Sequence, residues 1–395
     1  MSGDPVVIVS AARTPIGGFM GALRSLAAPQ LGACVIRAAI ERVGVAPESV
    51  DQVIMGNVLP AGVGQAPARQ AALGAGLPTA TGCMTINKVC GSGMQAAMLA
   101  HDLIALGRCE VMVAGGMESM SNAPHLLPKA RAGLRLGHGD VKDHMFLDGL
   151  EDAYDRGRLM GTFAEDCAQH YRFSREAQDR YAIASLARAR QAIEDGSFAR
   201  EITPVESVPG RAGSLVNADE QPLKANIDRI PELKPAFRAD GTVTAANSSS
   251  ISDGAAAMTL MKRSHAERLG LQPLATIVGF TAHAQEPKWF TTAPVGAVRK
   301  LFQQTGWNAK STDLFEINEA FAVVAMAAMH DLELPHEKVN VHGGACALGH
   351  PLGASGARII VTLLAALEKH GLKRGIASLC IGGGEATAIA LERMT

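Results

Sequence analysis

The last third of the chain repeats the first, and a chain built from two copies of one unit has few ways to fold. Asp51-Gln-Val-Ile-Met-Gly-Asn57 is matched by Asp313-Leu-Phe-Glu-Ile-Asn318. Gly107-Arg-Cys-Glu-Val-Met-Val-Ala-Gly-Gly-Met-Glu118 is matched by Gly375-Ile-Ala-Ser-Leu-Cys-Ile-Gly-Gly-Gly-Glu385. Ahead of the second match in each copy lies a Ser-Gly step that opens an apolar helix, Ser92-Gly93 and Ser355-Gly356. Two pseudo-symmetric halves are therefore expected, with the loops before these helices on corresponding positions and facing each other. One loop carries Cys90 and the other His350.

Within each copy, short β-branched runs alternate with helical periodicities. Val6-Val-Ile-Val-Ser10 reads as a buried strand, 29–43 as a helix stopped by Gly44, and 94–106 as a helix closed by Gly107. This alternation predicts an α/β fold with a largely parallel sheet. The apolar run 253–262 reads as helix or strand. Between Ser119 and about Phe237 charge, proline and glycine rise around a helical stretch at 174–194, which marks an insertion large enough to be a structured sub-domain. The expected division is 1–118 for the first part of the N-terminal half, 119–245 for the insertion, 246–272 for the completion of that half, and 273–395 for the second half.

With 395 residues, 47% hydrophobic and 19% charged, the chain can fill two cores. A net charge of −1, with Lys and Arg scattered, leaves no footprint for nucleic acid or a membrane surface. No apolar run approaches the roughly 18 residues of a membrane span, so a cytoplasmic enzyme is expected. The seven cysteines are odd in number and contain no C-x-x-C pair, which points to reduced thiols rather than a disulfide framework or a zinc site.

The densest run is Asn340 to Arg358, where His350 precedes a proline among glycines and the chain then opens an apolar helix. An imidazole on such a tight loop is a candidate base. Cys90 sits just before Gly-Ser-Gly and a helix, a setting that lowers a thiol pKa; a buried cysteine beside a tight turn would look the same. Together they read as an activated Cys-His pair. Cys380 ends a strand and precedes Ile-Gly-Gly-Gly, so its thiol is expected to point from a sheet edge toward a crevice, where it could shuttle a proton to a carbanion or a departing thiolate. Asn318, in Asn318-Glu-Ala-Phe-Ala322, could hold a water beside an oxyanion or simply open a helix. The Gly382 and Cys90 amides could supply a second oxyanion site.

Ile86-Asn-Lys-Val-Cys90-Gly-Ser-Gly, Asn318-Glu-Ala-Phe-Ala322, Gly349-His350-Pro351 and Cys380-Ile-Gly-Gly-Gly resemble, in order and spacing, the signature blocks of the thiolases. The resemblance also takes in Ser10-Ala-Ala-Arg-Thr and Gly115-Gly-Met-Glu-Ser-Met-Ser, so it spans almost the whole chain. It implies the thiolase fold, an αβαβα sandwich of two halves with a loop domain carrying coenzyme A contacts. It further implies Cys90 as acyl acceptor, His350 as its activator, Asn318 and Gly382 at the oxyanion sites, and Cys380 as acid/base. By the same resemblance Ser249 would meet the pantetheine arm, Met160 and Phe321 would line the acyl pocket, and Phe237 and Leu150 would belong to the substrate and CoA site; Lys224, by its position along the chain, would reach a CoA phosphate or stand as a solvated surface lysine. Acetyl-CoA, acetoacetyl-CoA and CoA are the implied ligands, with no metal or other cofactor, in a homotetramer or homodimer.

Two blocks depart from the common biosynthetic pattern: Leu159-Met160-Gly161 lacks a histidine, and Asn247-Ser-Ser249 replaces Asn-Ala-Ser. The rival expectations are a degradative 3-oxoacyl-CoA thiolase of broader or 2-methyl-branched range, and a non-catalytic acyl-CoA carrier. A decarboxylating ketosynthase would need a second histidine where Cys380 stands.

Overall fold

The computed structural model describes residues 3–208 and 214–394. The first half contributes β1 (Val6–Arg13), β2 (Gln52–Gly56), β3 (Gly82–Ile86), β4 (Val111–Ser119) and β5 (Ser252–Lys262). The second contributes β6 (Ala275–Ala284), β7 (Leu314–Ile317), β8 (Arg374–Ile381) and β9 (Glu385–Arg393). They run in the order β7-β8-β9-β6-β1-β5-β4-β2-β3. Only two residue pairs, Val7 with Thr276 and Ile8 with Ala275, join the halves across β1 and β6.

The duplication is visible strand by strand. β2 pairs parallel to β4 as β7 does to β8, β4 antiparallel to β5 as β8 to β9, and β5 antiparallel to β1 as β9 to β6. Where β3 flanks β2 in parallel, Val339 makes a parallel bridge to Phe315 on β7. The hydrogen bonds repeat too. Asp51 Oδ2 accepts from the amides of Glu110 and Val111 at 2.6 and 3.1 Å, and Asp313 Oδ2 from those of Lys373 and Arg374 at 3.0 and 2.8 Å.

The sheet is mixed, and the expectation of a largely parallel sheet is corrected. Parallel pairing occurs at β2/β3, β2/β4 and β7/β8, where helices or long connections intervene. β8 and β9 instead reverse directly through Gly382–Gly384, and β5 returns from the insertion antiparallel to both its neighbours. The ambiguous run 253–262 is strand β5, buried along nearly its whole length at the middle of the sheet.

Helices fill the remaining layers. Ser92–Ala105 and Leu352–Lys369 pack against each other and against strands of both halves, Ala28–Glu41 and Pro67–Gly74 cover the outside of the first half, and Ala293–Thr305 covers the second. Fifteen of the eighteen residues of Leu352–Lys369 are buried, as a helix packed on strands of both halves and on a second helix requires. The two central helices cross at corresponding glycines. A Cβ on Gly93 would stand 2.7 Å from the Ala357 nitrogen, and one on Gly356 would stand 2.5 Å from the Met94 nitrogen, so neither position admits a side chain without separating the halves.

The insertion holds helices Met160–Tyr171 and Arg175–Glu194, the latter capped by Ser174. It is tied to β1 by Arg13, whose fully buried guanidinium pairs with Glu201 at 2.8 Å and Asp219 at 2.7 Å. Among the described residues no helix is long and apolar enough to cross a membrane.

Candidate active site

The Cys90 turn is built by its own side chains. Asn87 Oδ1 accepts from the Val89 amide at 2.8 Å; Ser92 Oγ accepts from the Lys88 amide at 2.8 Å and donates to the Val89 carbonyl at 2.6 Å. These bonds hold Val89 at φ +46°, a left-handed conformation a β-branched residue rarely takes. Strain of this kind is found where a neighbouring group must be aimed, and the neighbour here is Cys90. Behind it, a Cβ on Gly91 would meet Ile381 Cδ1 at 2.4 Å, which sets the turn directly against the end of β8. An ion pair between Lys88 and Glu385 straps the turn to the start of β9.

The sulfur of Cys90 is buried and receives the amide of Gly382. The expectation that the helix terminus lowers its pKa is corrected: burial pushes the thiol up to about 11, against the opposing bonds from the Gly382 and Cys90 amides, and Glu118 adds to the rise. Cys90 lies outside the first helical turn, with Gly91 as the N-cap residue, so desolvation outweighs the terminal amides. Cys380 is 1% exposed and its thiol is raised well above the ordinary range, first by burial and then by Cys90, which places the two sulfurs within electrostatic reach. Cys380 does not lie on a sheet edge. β8 runs between β7 and β9, and the thiol sits near its C-terminal end, one residue before the glycine turn.

His350 follows Gly349 at φ +112°, where a Cβ would fall 2.1 Å from Ser252 Oγ. Its Nδ1 lies 2.5 Å from Ser355 Oγ, and that hydroxyl donates to the Pro351 carbonyl at 2.9 Å. With the serine proton assigned to that carbonyl, Nδ1 is the donor to Ser355 Oγ and Nε2 keeps a free lone pair. Nε2 is buried and has no hydrogen-bond partner. Burial, helped by the Arg358 charge, pushes the ring down to about 3, so it is neutral near pH 7. Asn318 Nδ2 lies 3.5 Å from Nδ1, and Asn318 Oδ1 accepts from Arg358 Nη2 at 3.3 Å. A neutral imidazole with an open nitrogen can take the proton of a protonated thiol as that thiol attacks, which is general-base chemistry rather than a standing thiolate.

The other candidates fall into two groups. A Cβ on Gly382 would touch Met160 Sδ at 3.6 Å and Val89 Cγ1 at 3.8 Å, so Met160 flanks the glycine turn and the Cys90 turn together. Phe237 covers Gly161 and meets Phe321 edge-on at 6.0 Å, in the apolar cluster that also contains Cys380. Leu150 packs on the cluster containing Cys90. The Ser249 hydroxyl donates to the Ala320 carbonyl at 2.9 Å, beside Phe321. Lys224 stands apart: on the short helix Glu220–Lys224 it is largely exposed and its ammonium pairs with Glu220.

Sequence reasoning missed two buried carboxylates that hold these loops. Glu319 accepts from Tyr181 Oη at 2.9 Å, Ser185 Oγ at 2.7 Å, Asn340 Nδ2 at 2.8 Å and the Cys346 amide at 3.0 Å, joining the insertion to the loops of Asn318 and His350. Glu118 accepts from the amides of Val58, Leu59 and Gly353 and from Asn57. The available signal was an acidic residue inside each apolar block, which needs partners if buried.

A duplicated α/β fold with helices on both sides of a mixed sheet holds two buried thiols and one neutral imidazole, and its relatives make it an acyltransferase. The chain belongs to the thiolase family: the thiolase N-terminal domain matches residues 6–264 and the thiolase C-terminal domain residues 271–393. It is 48% identical over 396 residues to the acetyl-CoA acetyltransferase of Schizosaccharomyces pombe, covering all of both chains. It is 52% identical over 391 residues to acetyl-CoA acetyltransferase 2 of Arabidopsis thaliana, covering 98% of this chain and 96% of that one. Among solved structures, the Bacillus anthracis acetyl-CoA acetyltransferase superposes with a TM-score of 0.96 at 42% identity, over 99% of each chain. The Acat5 thiolase of Ascaris suum in complex with coenzyme A superposes at 0.93 and 42% identity, over 99% of this chain and 100% of that one.

Proposed function

We propose that this chain is an acetyl-CoA C-acetyltransferase, which joins two acetyl-CoA molecules into acetoacetyl-CoA and CoA and runs thiolysis in reverse. One observation supports the reading: the strained Cys90 turn packs on the end of β8, where a Cβ on Gly91 would meet Ile381 Cδ1 at 2.4 Å, and a second buried thiol, Cys380, stands next to Ile381 on that strand. The full-length likeness to acetyl-CoA acetyltransferases supports it.

Cys90 Sγ attacks the acetyl carbonyl while its proton passes to His350 Nε2. The tetrahedral oxyanion is met by amide and imidazolium donors, and the departing CoA thiolate takes the proton of Cys380. After CoA leaves, a second acetyl-CoA gives an α-proton to the Cys380 thiolate. The enolate attacks the acetyl-Cys90 carbonyl, and Cys90 leaves as a thiolate that recovers its proton from His350. Every proton is returned, and the thioester itself supplies the acidity and the activated carbonyl, so the cycle calls on no metal or redox cofactor.

The insertion would carry CoA contacts. Ser249 and Leu150 would border the pantetheine arm, while Met160, Phe237 and Phe321 would wall the acyl group. A CoA phosphate at Lys224 would compete with Glu220 for the ammonium. A homotetramer or homodimer in the cytoplasm, serving fatty acid metabolism, completes the proposal.

Incubation with acetyl-CoA and intact-mass analysis tests the nucleophile. An acetyl adduct is expected on the unmodified protein and none on Cys90→Ala, and an undiminished adduct on the variant would refute the assignment. Thiolysis rates on four-carbon, 2-methyl-branched and long-chain 3-oxoacyl-CoA test the substrate class; a clear preference for long chains would overturn it.

A further inference from the structure

The helix Leu352–Lys369, which His350 introduces, begins on Pro351 and has no side-chain cap of its own. The Ala354 and Ser355 amides both turn back to the Pro351 carbonyl, at 3.0 and 2.9 Å. The Gly353 amide points elsewhere, as the orphan donors of a first turn do. It donates at 2.8 Å to Glu118 Oε2, on β4 in the other half of the molecule. The same carboxylate takes the Val58 amide at 2.9 Å, the Leu59 amide at 3.2 Å and Asn57 Nδ2 at 2.6 Å, all just past the end of β2. Glu118 is fully buried. The approach is close throughout, since a Cβ on Gly116, two residues earlier on β4, would overlap the Gly353 carbonyl oxygen at 1.9 Å.

We propose that Glu118 is a positioning residue for acyl transfer, a cap supplied across the seam that fixes the His350 turn relative to the Cys90 half. The inference rests on the Cys90 reading above. Glu118 does not touch the reacting atoms. It acts through Gly353, three residues beyond His350, and through its charge, which opposes ionisation of Cys90. A neutral cap could not accept four donors at once: glutamine would turn an NH2 toward two of them.

Single-turnover acetylation by acetyl-CoA, with the steady-state constants, tests this. In Glu118→Gln the acetylation rate is expected to fall ~10–100-fold, as for a reacting group moved by a fraction of an ångström to an ångström, while KM for acetyl-CoA changes less than about 3-fold, as expected for loss of an interaction that stabilises the transition state. Alkylation of Cys90 by iodoacetamide at pH 8.5 should become faster in this variant, because a negative charge near the thiol is gone. Glu118→Asp keeps the charge and should restore the wild-type alkylation rate. Wild-type acetylation in Glu118→Gln, or a fall in kcat that only tracks loss of folded protein with alkylation unmoved, would overturn the proposal. Should Glu118→Gln not fold, Asn57→Ala loosens the carboxylate without removing it. A several-fold slower acetylation is then expected, and an unchanged rate would overturn the inference. Failure of the unmodified protein to acetylate at all would sink the acetyltransferase reading instead, so the two failures are distinguishable.

Discussion

β4 and β8 hold equivalent places in the two halves, yet they end differently. β4 runs on past its glycines and presents a carboxylate, Glu118, that grips the opposite half. β8 ends one residue after a thiol, Cys380, and turns back through Gly382–Gly384, leaving the Gly382 amide on the sulfur of Cys90. The helices that follow the corresponding loops differ in the same way. One is preceded by Cys90 on a strained turn, and the other by a neutral imidazole held by Ser355. Duplication supplied a symmetric frame, and the chemistry lies in the positions where the copies diverged.

Experiments that exchange or erase these differences test the comparison. The largest effect is expected for Cys380→Ser, which should still accept acetyl at Cys90 while condensation falls by ~10²–10⁴-fold, the range of a lost acid/base. Loss of the acetyl adduct in that variant would contradict the division of labour between the thiols. Next is Gly382. Proline there deletes the amide and should lower kcat by about 10²–10³-fold. Alanine should be nearly silent, because its Cβ would find only ordinary contacts at 3.6 Å and beyond. Equal losses in both would mean that space, not the N–H, matters.

Gly349→Ala is expected to cost about 2–3 kcal/mol in urea denaturation, from a positive φ combined with an overlap on Ser252 Oγ. The smallest effect concerns His342, buried with both ring nitrogens unpartnered. Burial, then His370 and Lys369, hold it down to about 4. As pH falls from about 6.5 the unfolded chain takes up a proton that the folded chain refuses. The imidazole therefore costs nothing above that value and progressively destabilises the fold below it. His342→Leu should gain ~1–2 kcal/mol relative to wild type between pH 8 and pH 5. The difference between the two proteins isolates this ring from Glu118 and Glu316, which burial raises to about 7 and 8 and which act in the opposite direction.

The candidate site residues can be picked out of the sequence because they lie in short contiguous runs. Cys90, His350, Cys380 and Asn318 each stand inside a glycine-rich or polar interruption of an apolar block, and the repeat predicted that the first two would occupy corresponding loops. Sheet direction was less legible, since alternating strands and helices give no sign of where a strand turns straight back, as β8 does at Gly382, or returns antiparallel from an insertion, as β5 does at Ser252. Lys224 was placed by position along the chain alone, and its own helix supplies a nearer partner in Glu220.

The sequence by itself determined the two-fold plan, the strands and helices of each copy, and the residue types brought to the seam, because periodicity and glycine placement act locally. Only the tertiary structure decided the ionisation of those residues. Cys90 is a thiol rather than a thiolate because desolvation exceeds the pull of a helix terminus. His350 is neutral because burial pushes its ring down to about 3, and its Nε2 is left without a partner inside the protein. Glu118 caps a helix 235 residues away, a contact that no local pattern encodes and that exists only once the halves have closed.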